Sequence, residues 1–216
     1  MPQNETPYVR EDGYAERYRD RRFATGSGPR TDRRERRAIA RLLRAVPPRL
    51  GTWLDVPSGS GRMSDLLPGE VVQVDRAPAM LAAIEQPGIA RLCASVHQLP
   101  FADDAFVGAL CHRLLHHIPS SAERIRILSE LRRVVAGPLI VSFFHAASLQ
   151  HARRTLSRRL RRKPTSGRCA VTLRRFLGDL NAAGWRAEAC APLAPFVSEQ
   201  WLVRATRAPS DQRRTP

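Results

Sequence analysis

The chain has 216 residues, 43% of them apolar and 26% charged, a size and balance that suit one domain with a real core, so no second catalytic domain is expected. The opening MPQNETPYVRED lacks an apolar signal core, and no uninterrupted apolar run approaches the roughly 18 residues of a membrane span, so a cytoplasmic protein is expected. The net charge is +16, with 35 of the 36 cations arginine, and the excess is local: residues 131 to 178 hold twelve cations and no acid, whereas 51 to 130 are slightly acidic. Cysteines at 93, 111, 169 and 190 form no C-x-x-C pair, which argues for reduced thiols and against a zinc site or a disulfide framework.

Residues 1 to 31 mix aromatics with charges, and Tyr14 and Tyr18, four apart, would share one face of a helix. Asp32 is placed to cap a helix running to about residue 45, whose stripe is Ile39, Leu42, Leu43 and Val46. Residues 52 to 56 read as a strand. A loop with Gly59 and Gly61, a brief helical pattern and a second strand ending at Asp75 follow. Pro78 starts a helix through Glu85, stopped by Pro87 and Gly88, and residues 89 to 93 form a third strand.

Residues 106 to 111 predict the fourth strand. Ser120 and Glu123 have the spacing of a capping box for a helix carrying Ile125, Leu128, Leu131 and Val135 on one side. The continuous apolar run 139 to 144 is a buried strand. The Arg-rich segment HAASLQHARRTLSRRLRRKPTSGRC then exceeds what a minimal α/β domain needs. Within it Leu149, Ala152, Leu156 and Leu160 fall at spacings of three, four and four, one apolar stripe on a helix. On the plain reading that stripe packs on the domain beneath solvated arginines; on the sharper one the segment roofs a pocket and rings its mouth with positive potential. Thr172 caps a further helix, and strands near 185 to 190 and 201 to 206, with no helix between them, pair as a hairpin.

Glycines just beyond a strand let the backbone approach a ligand, and an acid ending the next strand accepts hydrogen bonds from ribose hydroxyls, so Gly59, Gly61 and Asp75 describe a nucleoside site. A dinucleotide fingerprint needs a third glycine, yet Ser64 follows, and no P-loop lysine is near; a diphosphate is therefore disfavoured. The run DVPSGSGR resembles motif I of the class I S-adenosylmethionine-dependent methyltransferases, acid-x-Gly-x-Gly-x-Gly, with Pro57 in place of the first glycine. The resemblance is to the small-molecule and lipid type of these enzymes (type 11) and spans about residues 50 to 145. Asp75 matches the ribose-binding acid, ASVHQLPFADDAF the segment passing the adenine, and HRLLHHI the stretch after strand four.

The resemblance implies an α/β, Rossmann-like, doubly wound and mostly parallel sheet of seven strands with an antiparallel closing strand, plus an Arg-rich helical cap after strand five. It implies S-adenosylmethionine as cofactor, held by Asp55, Pro57, Ser58, Gly59, Gly61, Asp75, Arg76, Ser95, Val96 and Cys111. Ser95 stands where the family usually has an acid, and brings no charge. Residues 1 to 31 are expected to fold over the cofactor site and 32 to 208 to form a single methyltransferase domain with its insertion at 148 to 171. A tail from 209 to 216 is expected to be disordered.

Methyl transfer needs alignment, and a general base only for a weak nucleophile such as a hydroxyl. Four of the six histidines fall after strands four and five, where a doubly wound sheet places its ligand. His112 and His145 are the catalytic candidates; His117, with Tyr14 and Tyr18, is a candidate for the acceptor pocket. His112 and His116 at i, i+4 have no evident third metal ligand, so no metal is expected. The leading reading is an enzyme methylating a small-molecule or lipid-linked, anionic acceptor, with peripheral contact at an anionic membrane. The alternatives are a nucleic-acid methyltransferase, for which no aromatics interleave the arginines, a non-catalytic binding protein, and a nicotinamide oxidoreductase.

Overall fold

The computed structural model describes residues 26, 28–47, 50–86, 88–160 and 167–209, the side chains of 158–160 excepted. Tyr14, Tyr18, Arg161, Arg162 and residues 210–216 lie outside them. The seven strands are β1 (Thr52–Asp55), β2 (Glu70–Asp75), β3 (Ala90–Cys93), β4 (Gly108–Cys111), β5 (Leu139–Phe144), β6 (Trp185–Pro192) and β7 (Gln200–Arg207). They form one sheet in the order β3-β2-β1-β4-β5-β7-β6. The first five pair in parallel, and β7 runs antiparallel to both β5 and β6, as expected. Because β1 pairs with both β2 and β4, the order reverses there, and ligands bind beyond the carboxyl ends of strands at such a switch point.

Helices cover both faces. They are α1 (Gly28–Leu43), α2 (Pro78–Ala82), α3 (Ser121–Val134), α4 (Leu149–Leu160) and α5 (Leu173–Ala182). Alternation along the strands divides the core. Ala109, Leu139, Val141 and Phe143 pack with Ile127, Leu128, Leu131 and Phe176 from α3 and α5. Leu110, Ile140 and Leu202 pack with Ile39 and Leu42 from α1. Gly108 is needed for close approach, since a Cβ there would lie 2.6 Å from the Trp53 ring.

Several local expectations change. Helix α1 begins at Gly28, before Asp32, whose carboxylate pairs with Arg62 and so is not a cap. The helical pattern after the glycine loop is a single 3-10 turn, Ser64–Leu66, and α2 ends at Ala82. Strand β4 starts at Gly108, with Phe106 reduced to a bridge to Val135. Ser120 caps α3 by accepting from the Glu123 amide, but the Glu123 carboxylate turns to His97 and does not close the box.

The largest change concerns α4. Its apolar stripe does not pack on the domain: Leu149, Ala152 and Leu156 are exposed, while Arg154 faces inward to the buried Glu199. Polar partners on the β6–β7 connection hold this helix in place of an apolar seam. Among the described residues no helix is long and apolar enough to cross a membrane.

Candidate functional site

The loop after β1 is drawn toward β2. Gly59 and Gly61 adopt φ of +55° and +73°, the left-handed region that glycine enters without strain, and the Val56–Pro57 peptide is cis. The Gly59 amide donates to Asp75 Oδ2 at 2.9 Å and the Ala77 amide to Asp75 Oδ1 at 2.9 Å. Burial pushes the Asp75 carboxyl above its ordinary value, against those amide hydrogen bonds. Asp55 is fully enclosed beneath the loop, accepting from Ser64 Oγ at 2.6 Å. Its burial, opposed by that hydrogen bond and reinforced by the Asp75 charge, pushes it up to about 7.

The two glycines differ in what they require. A Cβ on Gly61 would lie 2.9 Å from Gln73 Nε2 and 3.1 Å from Ile84, whereas one on Gly59 would meet only Met80, at 3.5 Å. Gly61 thus serves packing and Gly59 leaves open space. Ser58 Oγ is buried with no hydrogen-bond partner among the described residues. A carboxylate with spare lone pairs, an unblocked loop backbone and an orphan hydroxyl form a donor and acceptor set that fits a nucleoside.

The remaining sequence-selected residues sit less uniformly. Val96 is buried and Arg76 exposed next to Asp75. Ser95 is exposed, its hydroxyl accepting from the His97 amide at 3.3 Å. The Cys111 side chain is packed in the core, where burial pushes its thiol far up, so any contact from this residue with a ligand is through backbone.

Beyond β4, β5 and β7 a cleft of about 670 Å³ opens, lined by α1, α4 and the β6–β7 connection. Arg34, Arg113, Arg153 and Arg168 line it, with Phe144 on its wall. The acid on its lining, Glu199, is paired with Arg154. Arg113 has φ of 61°, uncommon for a residue with a side chain, and its amide donates to Ser142 Oγ at 2.7 Å.

Glu35 of α1 joins the cleft to the glycine loop. Fully buried, it accepts from Arg113 Nη1 at 2.8 Å, pairs with Arg62 at 2.5 Å and lies 3.4 Å from His112 Nε2. Burial alone would push Glu35 up, yet the hydrogen bond from His112 and the charges of Arg62 and Arg113 outweigh it and hold the carboxyl well below its usual range. Gln200 completes the cluster, accepting from Arg113 at 3.3 Å and standing 3.5 Å from His112.

His112 is thereby held behind the cleft wall, off its lining and linked to it through Glu35 and Arg113. Burial lowers its pKa, more than Glu35 raises it, so it is neutral near pH 7. A carboxylate can only accept, so Nε2 facing Glu35 carries the proton and Nδ1, buried without a partner among the described residues, keeps a lone pair. His145 is not brought to the cleft. One residue beyond Phe144, it shares the α5 side with Phe143 and lies 4.8 Å from the Trp201 ring, outside the cleft lining. His117 is exposed, with Nδ1 3.4 Å from the Gly167 carbonyl, and also lies off the lining.

His116, which the sequence assigned no place in the acceptor pocket, is buried and stacks on Phe144 with centroids 4.0 Å apart. Burial, with the nearby charge of His117, drives its pKa far below the ordinary 6.5. The unfolded chain takes up this proton below pH 6.5 and the folded one does not, so His116 costs stability as pH falls. In His116→Phe, stability relative to the parent should rise by about 1.4 kcal/mol per pH unit below that point. Urea unfolding at pH 8, 6 and 5 checks this, and parallel curves for the two proteins would contradict it.

Comparison with known proteins bears on the whole. Residues 54–137 match the model of the methyltransferase domain family, while no curated protein matches the chain in sequence. The magnesium protoporphyrin IX methyltransferase of Synechocystis PCC 6803, solved with S-adenosylhomocysteine, is 17% identical, with a TM-score of 0.70 over 89% of this chain and 94% of that one. A Pyrococcus horikoshii OT3 protein is 20% identical, with a TM-score of 0.66 over 89% and 98%. A SAM-dependent methyltransferase of Thermotoga maritima is 16% identical, with a TM-score of 0.60 over 82% and 90%.

At such identities the structures speak for the fold, and the matched domain speaks for the family. The chain carries, over residues 54–137, a domain of the methyltransferase family. It is an enzyme that transfers a methyl group to an acceptor, and its cofactor is S-adenosylmethionine.

Proposed function

We propose that the arginine-lined cleft takes an anionic acceptor and presents it to a cofactor held by the glycine loop and Asp75. The observation that carries this is the lining: four arginines stand around the cleft, and the carboxylate on it is already paired. Positive potential focused in a concave site raises the local concentration of an anion and orients it by charge-assisted hydrogen bonds.

Asp55, Pro57, Ser58, Gly59, Gly61, Asp75, Arg76, Ser95, Val96 and Cys111 surround the cofactor in this reading, with Asp75 on the ribose. S-adenosylmethionine supplies, when bound, a methyl group on a sulfonium sulfur. The protein's share is to align the acceptor atom, to exclude water and, for a hydroxyl acceptor, to receive its proton at His112 Nδ1. Glu35 holds the ring in the tautomer this needs, and Arg113 ties the same carboxylate to the cleft wall.

Calorimetry tests the cofactor half. S-adenosylhomocysteine should bind saturably and NAD should not, and Asp75→Asn should weaken the former by about 1 to 3 kcal/mol, since ribose hydroxyls lose a charged acceptor. Unchanged affinity in Asp75→Asn would remove Asp75 from the site.

A further inference from the structure

Helix α4 is attached to the domain by its polar side. Ser148 Oγ accepts from the His151 amide at 3.1 Å, and the Leu149 and Gln150 amides donate to the carbonyls of Phe196 and Val197 at 2.9 and 3.0 Å. Gln150 Oε1 accepts from the Glu199 amide at 3.2 Å, and Arg154 pairs with the Glu199 carboxylate. The apolar side is thereby turned outward.

Leu149 and Leu156 are 53% and 59% exposed, and the adjoining connection adds Phe196 at 86% and Val197 at 52%. Phe196 is held at φ 59°, a conformation that costs energy for a residue with a side chain, and its ring stands in the open. These four are grouped on one side of the molecule; the fifth large exposed hydrophobic among the described residues, Leu50, precedes β1.

Charge decides what this face fits. The segment from 131 to 178 has twelve cations and no acid, and Arg153, Arg158 and Arg159 belong to the same helix as the apolar stripe. A second copy would set one all-cationic segment against another, which is repulsive. Nucleic acid would satisfy the arginines and leave the leucines and Phe196 in water. An apolar stripe flanked by arginines with no acid among them is the composition of a helix that lies in an anionic membrane interface.

We infer that α4 and the Phe196 loop seat the protein on an anionic lipid surface, apolar side chains entering the headgroup boundary and arginines meeting acidic lipid. Leu149, Arg153 and Val197 belong both to this face and to the cleft lining, so the seated cleft opens toward the bilayer. Resting on the anionic-acceptor reading above, this makes the acceptor an amphiphile with an anionic head, drawn from the membrane.

Co-sedimentation with vesicles of phosphatidylcholine alone, or mixed with phosphatidylglycerol, tests the inference on the full chain. The protein should pellet with the acidic vesicles at low salt, release as salt is raised, and ignore phosphatidylcholine. Leu156→Asp with Phe196→Asp, and separately Arg158→Gln with Arg159→Gln, should each lower partitioning by about tenfold or more. Titration of the same variants with S-adenosylhomocysteine should match the parent, showing the fold intact.

A parent protein that stays in the supernatant with acidic vesicles overturns the inference, as does pelleting that survives the two aspartates. Sedimentation velocity showing a dimer that the two aspartates dissociate would assign the face to a second copy and overturn it equally. No acceptor enters the vesicle assay, so its failure would leave the methyltransferase reading standing, and a failed cofactor titration would leave the docking result standing.

Discussion

Glu35→Ala should destabilise the protein by about 3 to 5 kcal/mol, because it strips the shared counter-charge from a buried cluster and leaves Arg62, Arg113 and His112 facing one another. The carboxylate is fully enclosed, and its two arginine partners are 20% and 15% exposed, so water cannot replace it freely. Glu35→Gln should recover part of the loss, since an amide oxygen still accepts from Arg113. Urea unfolding read by circular dichroism measures both variants. A loss under about 1 kcal/mol for the alanine variant would mean that the cluster relaxes into solvent and does not fix α1 on the glycine loop.

The second large effect concerns turnover. With a hydroxyl or enol acceptor, His112→Ala should slow methyl transfer by about 100-fold or more while leaving S-adenosylhomocysteine affinity nearly intact, because in the proposed reading the ring receives a proton and does not hold the cofactor. The parent's low histidine pKa adds a pH signature: His112 is neutral, and competent as a base, down to values below its ordinary 6.5, so activity should persist there and then fall on further acidification. His145→Ala, altering a ring beside Trp201 outside the cleft, should retain the parent rate. Full activity in His112→Ala on the true acceptor would show that alignment alone suffices.

What the sequence disclosed and what it hid divide along contact distance. Asp55, Gly59, Gly61 and Asp75 lie within 21 residues, on the ends of two adjacent strands and the loop after the first, so a linear pattern carries their arrangement. The cleft is different. Glu35 meets Arg113 across 78 positions and Gln200 meets His112 across 88, and no spacing rule links such residues.

His145 shows a second limit. Its place after β5 was legible, but the face it takes depends on strand parity, and Phe144 occupies the cleft side. Helix α4 shows a third: periodicity tells which residues share a face and is silent on whether that face turns inward. There Glu199, a distant acid, outcompeted the apolar stripe for the domain surface. Arg113 left a signal of neither kind, being one arginine among 35.

Isotope transfer tests whether an anionic acceptor is methylated in the arginine-lined cleft. Cell extract is divided by anion exchange into retained and unretained fractions, and each is incubated with the protein and methyl-labelled S-adenosylmethionine. Label should enter a compound of the retained fraction, in much lower yield with Arg113→Gln and Arg168→Gln. Label arising solely from the unretained fraction, with the glutamine variants as active as the parent, would contradict it.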